Sequence, residues 1–183
     1  SDGLPDCEQA ACLAAAGHAS IVAAEARVAD AQGRTEALVL PLLGPEFRPL
    51  AGPPSLASCS RDVYVDGLVM PVDKLWIILS SIASAAAHLH RIGLMHGDLY
   101  AHNILWNGKD RALLSDFGAA SFLPEEAGLS AGLERLEVRA FGLLVEELLQ
   151  RADDPADVRC TRLAALREDC LQPEVARRPA FGE

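Results

Sequence analysis

The segment from residue 71 to residue 92 constrains the fold of this chain more than any other. Pro71 suits the first turn of a helix, and Gly93 suits its end. Between them, apolar residues recur at the i, i+3, i+4 and i+7 spacing of one buried helix face: Leu75, Ile78, Leu79, Ile82, Ala86 and Leu89. The sequence therefore predicts a long helix with one face in the core.

A β-hairpin is predicted directly after this helix. Residues 104–106 (Ile-Leu-Trp) and 112–114 (Ala-Leu-Leu) flank an Asn-Gly turn at 107–108, and both turn residues tolerate positive φ. The same periodicity argument predicts two further helices, over residues 133–150 and 157–171.

Composition favours packed helices over a β-sandwich, because 50% of the 183 residues are hydrophobic and only 5% are aromatic. A formal net charge of -10 offers no basic surface to nucleic acid or an anionic membrane, and no run of 18 apolar residues is present to span one. The cysteines are odd in number and form no CxxC pair, which favours free thiols in a reducing, cytoplasmic compartment. They are Cys7, Cys12, Cys59, Cys160 and Cys170.

The N-terminal part is predicted to hold one helix and two strands. Residues 7–16 are rich in Ala and unbroken, whereas β-branched or apolar runs at 20–29 and 36–43 flank a short turn. Residues 44–54 are rich in Pro and Gly and are typical of a connector. Residues 55–70 leave a short helix or a loop open.

The strongest chemical signal is an Asp and an Asn five residues apart, followed by a second Asp. The stretch His96-Gly97-Asp98-Leu99-Tyr100-Ala101-His102-Asn103 lies between the long helix and the hairpin, on a loop whose side chains can face a ligand. Phosphoryl transfer to a hydroxyl needs a carboxylate such as Asp98 at the substrate proton and a metal ligand such as Asn103. Asp116, at the end of the hairpin, would complete a Mg²⁺ site of hard oxygen ligands.

These residues resemble the H-R-D-L-x-x-x-N and D-F-G motifs of eukaryotic-type protein kinases, with Asp116-Phe117-Gly118 as the second motif. The resemblance implies an α+β, mostly helical fold: a kinase-like large lobe with a truncated small lobe. Residues 1–43 would be the residual small lobe (helix αC and two strands), 44–54 the hinge, and 55–183 the large lobe. Details of the chain are similar to kinase domains of bacterial leucine-rich-repeat proteins.

The resemblance also implies ATP and Mg²⁺ as cofactors and a protein hydroxyl, Ser or Thr, as the acceptor. Asp98 would be the catalytic base, with Asn103 and Asp116 as the metal ligands. Leu105 would lie under the adenine, which the backbone near Leu42 and Leu43 would read. Leu40 would be the gatekeeper, Glu8 the ion-pairing residue of αC, and His96 and Phe117 structural residues of the core.

Two more stretches carry the resemblance. Residues 137–149 resemble the D-V-W-S-x-G-x-x-L-x-E-L-L helix that anchors the catalytic loop, with Glu137 in the Asp position. Residues 178–181 (Arg-Pro-Ala-Phe) resemble the R-P-S/T-F segment near a kinase C-terminus. No A-P-E motif precedes them, so Glu125 or Glu126 is the expected substitute partner for Arg178.

The chain departs from the family pattern at the phosphates. It contains no GxG sequence, and its two lysines, Lys74 and Lys109, lie far from the expected phosphate-binding position before Glu8. The loss of that charge would slow transfer by roughly 10² to 10⁴-fold, so the isolated chain is expected to be nearly inactive. These parts would lie upstream in a longer protein, together with possible additional domains, or would have been lost. Gly97 replaces the usual Arg, so activation by loop phosphorylation is not expected.

Two other functions stay open. A pseudokinase would recruit partners without turnover, and Mg²⁺-ATP would not stabilise it. A small-molecule kinase related to aminoglycoside phosphotransferases would share the H-G-D-x-x-x-x-N motif, although residues 146–149 and 178–179 resemble protein kinases more. The leading hypothesis is a protein kinase that transfers the ATP γ-phosphate to a protein hydroxyl.

Overall fold

The computed structural model describes residues 5–33, 35–55 and 60–182. The helix predicted over residues 71–92 is present as α2, Val72–Arg91. Gly93 follows it with a φ of +73°, a conformation that favours glycine and lets the chain turn away. Leu75, Ile78 and Ile82 on the predicted stripe are fully buried. By length and composition α2 could cross a membrane, but its buried face identifies it as a core helix.

The predicted N-terminal helix and strands are also present. Helix α1 is Pro5–Ala14, and strands β1 (Ala26–Ala29) and β2 (Thr35–Val39) form an antiparallel pair. Both strands are shorter than the predicted runs at 20–29 and 36–43. The beginning of the first predicted run is not part of β1, because the backbone at Ile21 forms a parallel bridge to Leu114 instead.

A three-stranded sheet lies between the two sequence motifs. Strand β5 (Ile104–Trp106) pairs with β6 (Ala112–Leu114) as predicted, and its other edge pairs with β3 (Arg48–Pro49). Strand β3 lies within the predicted connector over residues 44–54, where the sequence gives no sign of a strand because β3 has only two residues, one of them proline. A second small sheet joins β4 (Leu94–Met95) to β7 (Ser121–Phe122).

Two long helices complete the fold, α3 (Ala127–Leu149) and α4 (Val158–Cys170), which pack against each other. Helix α3 begins six residues before the predicted start at 133. The Glu126 side chain caps α3 by accepting a hydrogen bond from the Leu129 N–H. Two glycines in the first turns interrupt the helical pattern, so the sequence does not indicate this part of the helix.

Short 3-10 turns occupy Ala101–Asn103 and Val175–Arg177. Of the ambiguous stretch 55–70, the part from residue 60 onward contains no helix, and residues 56–59 lie outside the described residues. Cys59 falls among them. The elements together give a mostly helical α+β fold, so the predicted fold class is confirmed.

Candidate active site

The loop after β4 carries the first motif, and a buried histidine fixes its start. The ring of His96 is fully buried, and its Nε2 lies 3.0 Å from the carbonyl oxygen of Ser115. The ring also packs edge-on against Phe117, with the ring centroids 5.1 Å apart. His96 is thus a core residue that ties the loop to the segment containing Asp116.

Asn103 holds Asp98 in place. Its side-chain Nδ2 donates to both the backbone oxygen and the Oδ2 atom of Asp98, each at 2.9 Å. Asn103 is buried, whereas the side chain of Asp98 is 39% exposed. Because the Asn103 nitrogen is used in this way, the amide oxygen is left to face another group.

The hairpin brings Asp116 next to Asn103. In the β5–β6 register Ile104 pairs with Leu114, so Asn103 and Ser115 lie opposite each other at the next position. The backbone N–H and the hydroxyl of Ser115 both donate to the backbone carbonyl of Asn103 at 2.9 Å. Asp116 is the next residue and its side chain is exposed.

Asp116 also has an unusual backbone. Its φ of +63° is the only positive value of a non-glycine residue within the described ranges. Its Oδ1 accepts a hydrogen bond from the N–H of Gly118 at 3.1 Å, which supports this conformation. A left-handed backbone at a residue with a side chain is unfavourable, and such strain concentrates at functional sites.

Glu137 on α3 braces the loop from below. It is 2% exposed; its Oε1 accepts the N–H of Gly97 at 2.8 Å, and its Oε2 lies 2.7 Å from Nε2 of His90. Gly97 itself has a φ of +78°, and a Cβ atom there would lie 2.4 Å from the carbonyl oxygen of Ala119. Close backbone contact therefore explains why glycine stands where kinases usually have Arg.

A cleft of about 190 Å³ opens beside Asp98. Its walls come from the loop at residues 52–54, the segment 61–63 and the side chains of Tyr100 and His102. The rings of Tyr100 and His102 are stacked, with their centroids 5.4 Å apart.

Asp62 is a site residue that sequence reasoning missed. Its side chain is only 3% exposed, and its Oδ1 lies 2.7 Å from Nδ1 of His102. It lies in the ambiguous stretch before α2 and matches none of the motifs, so no local signal distinguishes it from other acidic loop residues. Only the tertiary fold brings it against the loop that carries Asp98.

Beneath the cleft, a buried polar cluster supports the same segment. The Tyr64 hydroxyl donates to Oε2 of Glu147 at 3.0 Å, and the Arg151 guanidinium lies 3.8 Å from the centre of the Tyr64 ring. Burial raises the pKa of the Glu147 carboxyl, although the Tyr64 hydrogen bond opposes this change. Burial and the Glu147 charge raise the pKa of the Tyr64 phenol.

The residues that the resemblance assigns to the adenine of ATP do not line the cleft beside Asp98, and they differ in how far they are exposed. Leu42 is fully exposed, Leu40 is 51% exposed, and Leu43 and Leu105 are partly buried. None of these four lines the cleft beside Asp98. Glu8 is exposed on α1.

The prediction that Arg178 pairs with Glu125 or Glu126 is wrong. Instead of pairing with Glu125 or Glu126, the buried Arg178 donates to the backbone carbonyl oxygens of Gln172 and Arg135, at 2.9 and 3.2 Å. Backbone carbonyls satisfy its guanidinium, and Glu126 is already engaged in capping α3.

The donor set fits a magnesium ion. The Asn103 amide oxygen and the Asp116 carboxylate are hard ligands, and Mg²⁺ needs few protein ligands because water and phosphate oxygens complete its shell. In the part of the chain that the structure describes, no cluster of three or more His, Cys, Asp or Glu side chains forms a different metal centre.

A buried histidine, an Asp hydrogen-bonded to an Asn, and a second Asp across a hairpin match the residue types expected of a kinase-type phosphotransfer site. Comparison with protein families gives the same class. The sequence model of the lipopolysaccharide kinase (Kdo/WaaP) family matches residues 21–152, and this chain belongs to that family. The predicted membership of a protein-kinase-like family is confirmed.

Individual relatives are kinases that match part of the chain. The human serine/threonine-protein kinase/endoribonuclease IRE2 is 33% identical over 117 residues, which is 58% of this chain and 12% of the relative. The serine/threonine-protein kinase US3 homolog of Equine herpesvirus 1 (strain Ab4p) is 34% identical over 82 residues, 41% of this chain and 22% of the relative. The mouse eIF-2-alpha kinase GCN2 is 33% identical over 64 residues, 35% of this chain and 4% of the relative. The chain thus spans less than a quarter of each of these proteins.

One similar solved structure is a divergent kinase lacking the glycine-rich loop, which regulates membrane ultrastructure of the Toxoplasma parasitophorous vacuole. Its similarity covers 60% of this chain and 39% of that chain, with 16% sequence identity and a TM-score of 0.48.

Proposed function

We propose that this chain carries the phosphotransfer centre of a kinase that moves the γ-phosphate of ATP to a hydroxyl group. The observation that carries the proposal is the pair of hydrogen bonds from the Asn103 amide nitrogen to Asp98. These hydrogen bonds orient the Asp98 carboxylate and leave the side-chain oxygen of Asn103 for a metal ion. Asp116 directly follows Ser115, the residue opposite Asn103 in the hairpin. Kinase-family membership supports the same chemistry.

In this mechanism the oxygen of the acceptor hydroxyl bonds to the γ-phosphorus of ATP, and Asp98 accepts the proton of that hydroxyl. The bond between the γ-phosphorus and the bridging oxygen, which stays with ADP, breaks. Asn103 keeps the Asp98 carboxylate oriented during the transfer. Asn103 and Asp116 would hold Mg²⁺, whose charge neutralises the phosphate oxygens when it is bound. The adenine would lie against Leu105 and the backbone near Leu42 and Leu43, with Glu8 on α1 towards the phosphates.

We infer that the acceptor is a protein hydroxyl, Ser or Thr. Support comes from the relatives reported above, two of which are named serine/threonine-protein kinases. The protein would work in a reducing, cytoplasmic compartment, in keeping with the free thiols of Cys12, Cys160 and Cys170. No contact with nucleic acid or membrane is proposed.

A sugar hydroxyl is the second candidate acceptor. The family model that covers residues 21–152 is named for lipopolysaccharide kinases, and the cleft beside Asp98, at about 190 Å³, has room for one small group. Tyr100 stands where Ser/Thr kinases carry a substrate-side Lys, so one of the features that favour a Ser or Thr acceptor is missing.

The test compares acceptors in one assay. The longest natural protein that contains this sequence is incubated with Mg²⁺ and γ-³²P-ATP, and with casein, myelin basic protein or deacylated lipopolysaccharide. We expect label on the proteins, and we expect Asp98→Asn to lower the rate by about 10² to 10⁴-fold. Asp66→Asn, which changes an exposed loop residue, serves as the matched control.

Label on the saccharide alone would favour the second candidate. The absence of transfer, together with the absence of thermal stabilisation by Mg²⁺-ATP, would contradict both and indicate a binding module. Calorimetry tests the metal assignment separately, because Asp116→Asn should weaken binding of Mg²⁺-ATP; unchanged affinity would remove Asp116 from the metal site.

A further inference from the structure

The Asp62 carboxylate is bound by three donors from a single short turn. Its Oδ2 accepts the backbone N–H of Ala101 at 2.7 Å, and its Oδ1 accepts the backbone N–H of His102 at 3.3 Å and lies 2.7 Å from His102 Nδ1. A carboxylate that is almost fully buried needs such donors, because burial of an unpaired charge is costly.

The turn that Asp62 holds is the one that positions the catalytic base. It is the 3-10 turn Ala101–Asn103, and its last residue provides both hydrogen bonds to Asp98. A continuous set of contacts therefore runs from Asp62 through the turn to Asn103 and from there to the Asp98 carboxylate.

Asp62 is itself attached to the core rather than to a free loop. Its backbone N–H lies 3.4 Å from Oε1 of Glu147, a buried residue of α3, and Glu147 also accepts the hydroxyl of Tyr64. The segment 61–64 is thus fixed to α3 on one side and to the catalytic loop on the other. A rigid support of this kind can set the base to within a fraction of an ångström.

From these contacts we propose that Asp62 is a positioning residue for phosphotransfer: its carboxylate fixes the turn Ala101–Asn103 and, through Asn103, the orientation of Asp98. The inference rests on the proposed function, because it assigns Asp98 the role of base. Asp62 and His102 also line the cleft beside Asp98, and none of the residues assigned to ATP lines that cleft. Loss of the Asp62 contacts should therefore impair the chemical step and leave ATP binding intact.

The experiment uses Asp62→Asn in the longest natural protein that contains this sequence. An amide supplies one acceptor oxygen where three donors need two, so the turn loosens while shape and volume stay almost the same. We expect kcat to fall by about 10- to 100-fold, since small misplacement of a catalytic group has effects of that size, while KM for ATP changes by less than about twofold. Asp66→Asn in the same loop should match the wild type in both constants.

A second variant and a measurement without catalysis make the test independent of folding and of the proposed function. His102→Ala removes one of the three donors and keeps the two backbone donors, so the exchange rate of the Ala101 amide should lie between those of wild type and Asp62→Asn. Hydrogen exchange at the Ala101 and His102 amides should accelerate in Asp62→Asn and stay slow in Asp66→Asn.

Faster exchange with an unchanged kcat would overturn the inference and leave the proposed function standing, as would an equal loss in kcat and in affinity for ATP. Unchanged exchange in Asp62→Asn would also overturn it, because the turn would then be held by other contacts. A wild-type protein with no transfer activity would instead contradict the proposed function.

Discussion

Substitution of Gly97 by alanine tests whether close backbone packing fixes the conformation of the loop that carries Asp98. Gly97 adopts a φ of +78°, and an added Cβ would lie 2.4 Å from the carbonyl oxygen of Ala119 and 3.2 Å from its carbonyl carbon. Ala119 comes directly after the Asp116–Gly118 motif, so the two chemistry-bearing segments touch at this point. The contact is with backbone, which cannot move aside as a flexible side chain would.

The expected loss of stability has two parts. An alanine in the left-handed region costs about 1–2 kcal/mol. Relief of the overlap with Ala119 adds about 1–3 kcal/mol, as for other overpacked sites. Gly93 provides the control, because its φ is +73° and an added Cβ would meet nothing within 4 Å. We therefore expect Gly93→Ala to lose about 1–2 kcal/mol and Gly97→Ala about 2–5 kcal/mol.

Urea unfolding followed by far-ultraviolet circular dichroism measures both values under the same conditions. Equal losses for the two variants would refute the steric reasoning, because the backbone conformation alone would then account for the effect. Gly97→Arg, which restores the residue usual in protein kinases, should be at least as destabilised as Gly97→Ala and should not gain activity.

Three further predictions concern the residues around the site. Glu137→Ala leaves the N–H of Gly97 without its acceptor and should lower the free energy of unfolding by about 3 kcal/mol, whereas Glu137→Gln should lose less; thermal unfolding compares the two. Asp116→Gly should be more stable than Asp116→Ala by about 1 kcal/mol in urea, because glycine adopts positive φ freely, and equal stabilities would show that Asp116 is not strained. For Glu147 the folded-state pKa is raised above 4.5, so its contribution to stability is fully present below pH 4.5 and is lost as the pH rises through the folded-state value. The free energy of unfolding should therefore decline less over that rise in Glu147→Gln than in the wild type, and identical slopes would contradict the raised pKa.

Local patterns predicted much of the fold. The stripe of α2, the turn chemistry of the β5–β6 hairpin and the spacing of the two motifs each depend on residues within a few turns of one another. The same spacing also predicted that Asn103 and Asp116 would meet, because a hairpin of known length carries one strand back beside the other. The role of Glu137 beneath the loop was found only through the resemblance, since one Glu in a helix has no local signature.

Local patterns failed where a contact depends on residues far apart in sequence. Strand β3 exists only because β5 has an edge for it to join, and a two-residue strand with a proline has no periodicity to detect. Arg178 is held by backbone carbonyls, which no sequence pattern encodes.

The sequence by itself determined which groups are available for the proposed chemistry: the carboxylate of Asp98, the amide of Asn103 and the carboxylate of Asp116. Tertiary structure alone decided how they are held, because Asp62 reaches the turn Ala101–Asn103 from about forty residues away. The physical reason is that hydrogen bonds and steric contacts act over a few ångströms in space. A short sequence pattern can therefore indicate such a contact only when the two residues are also close together in the sequence.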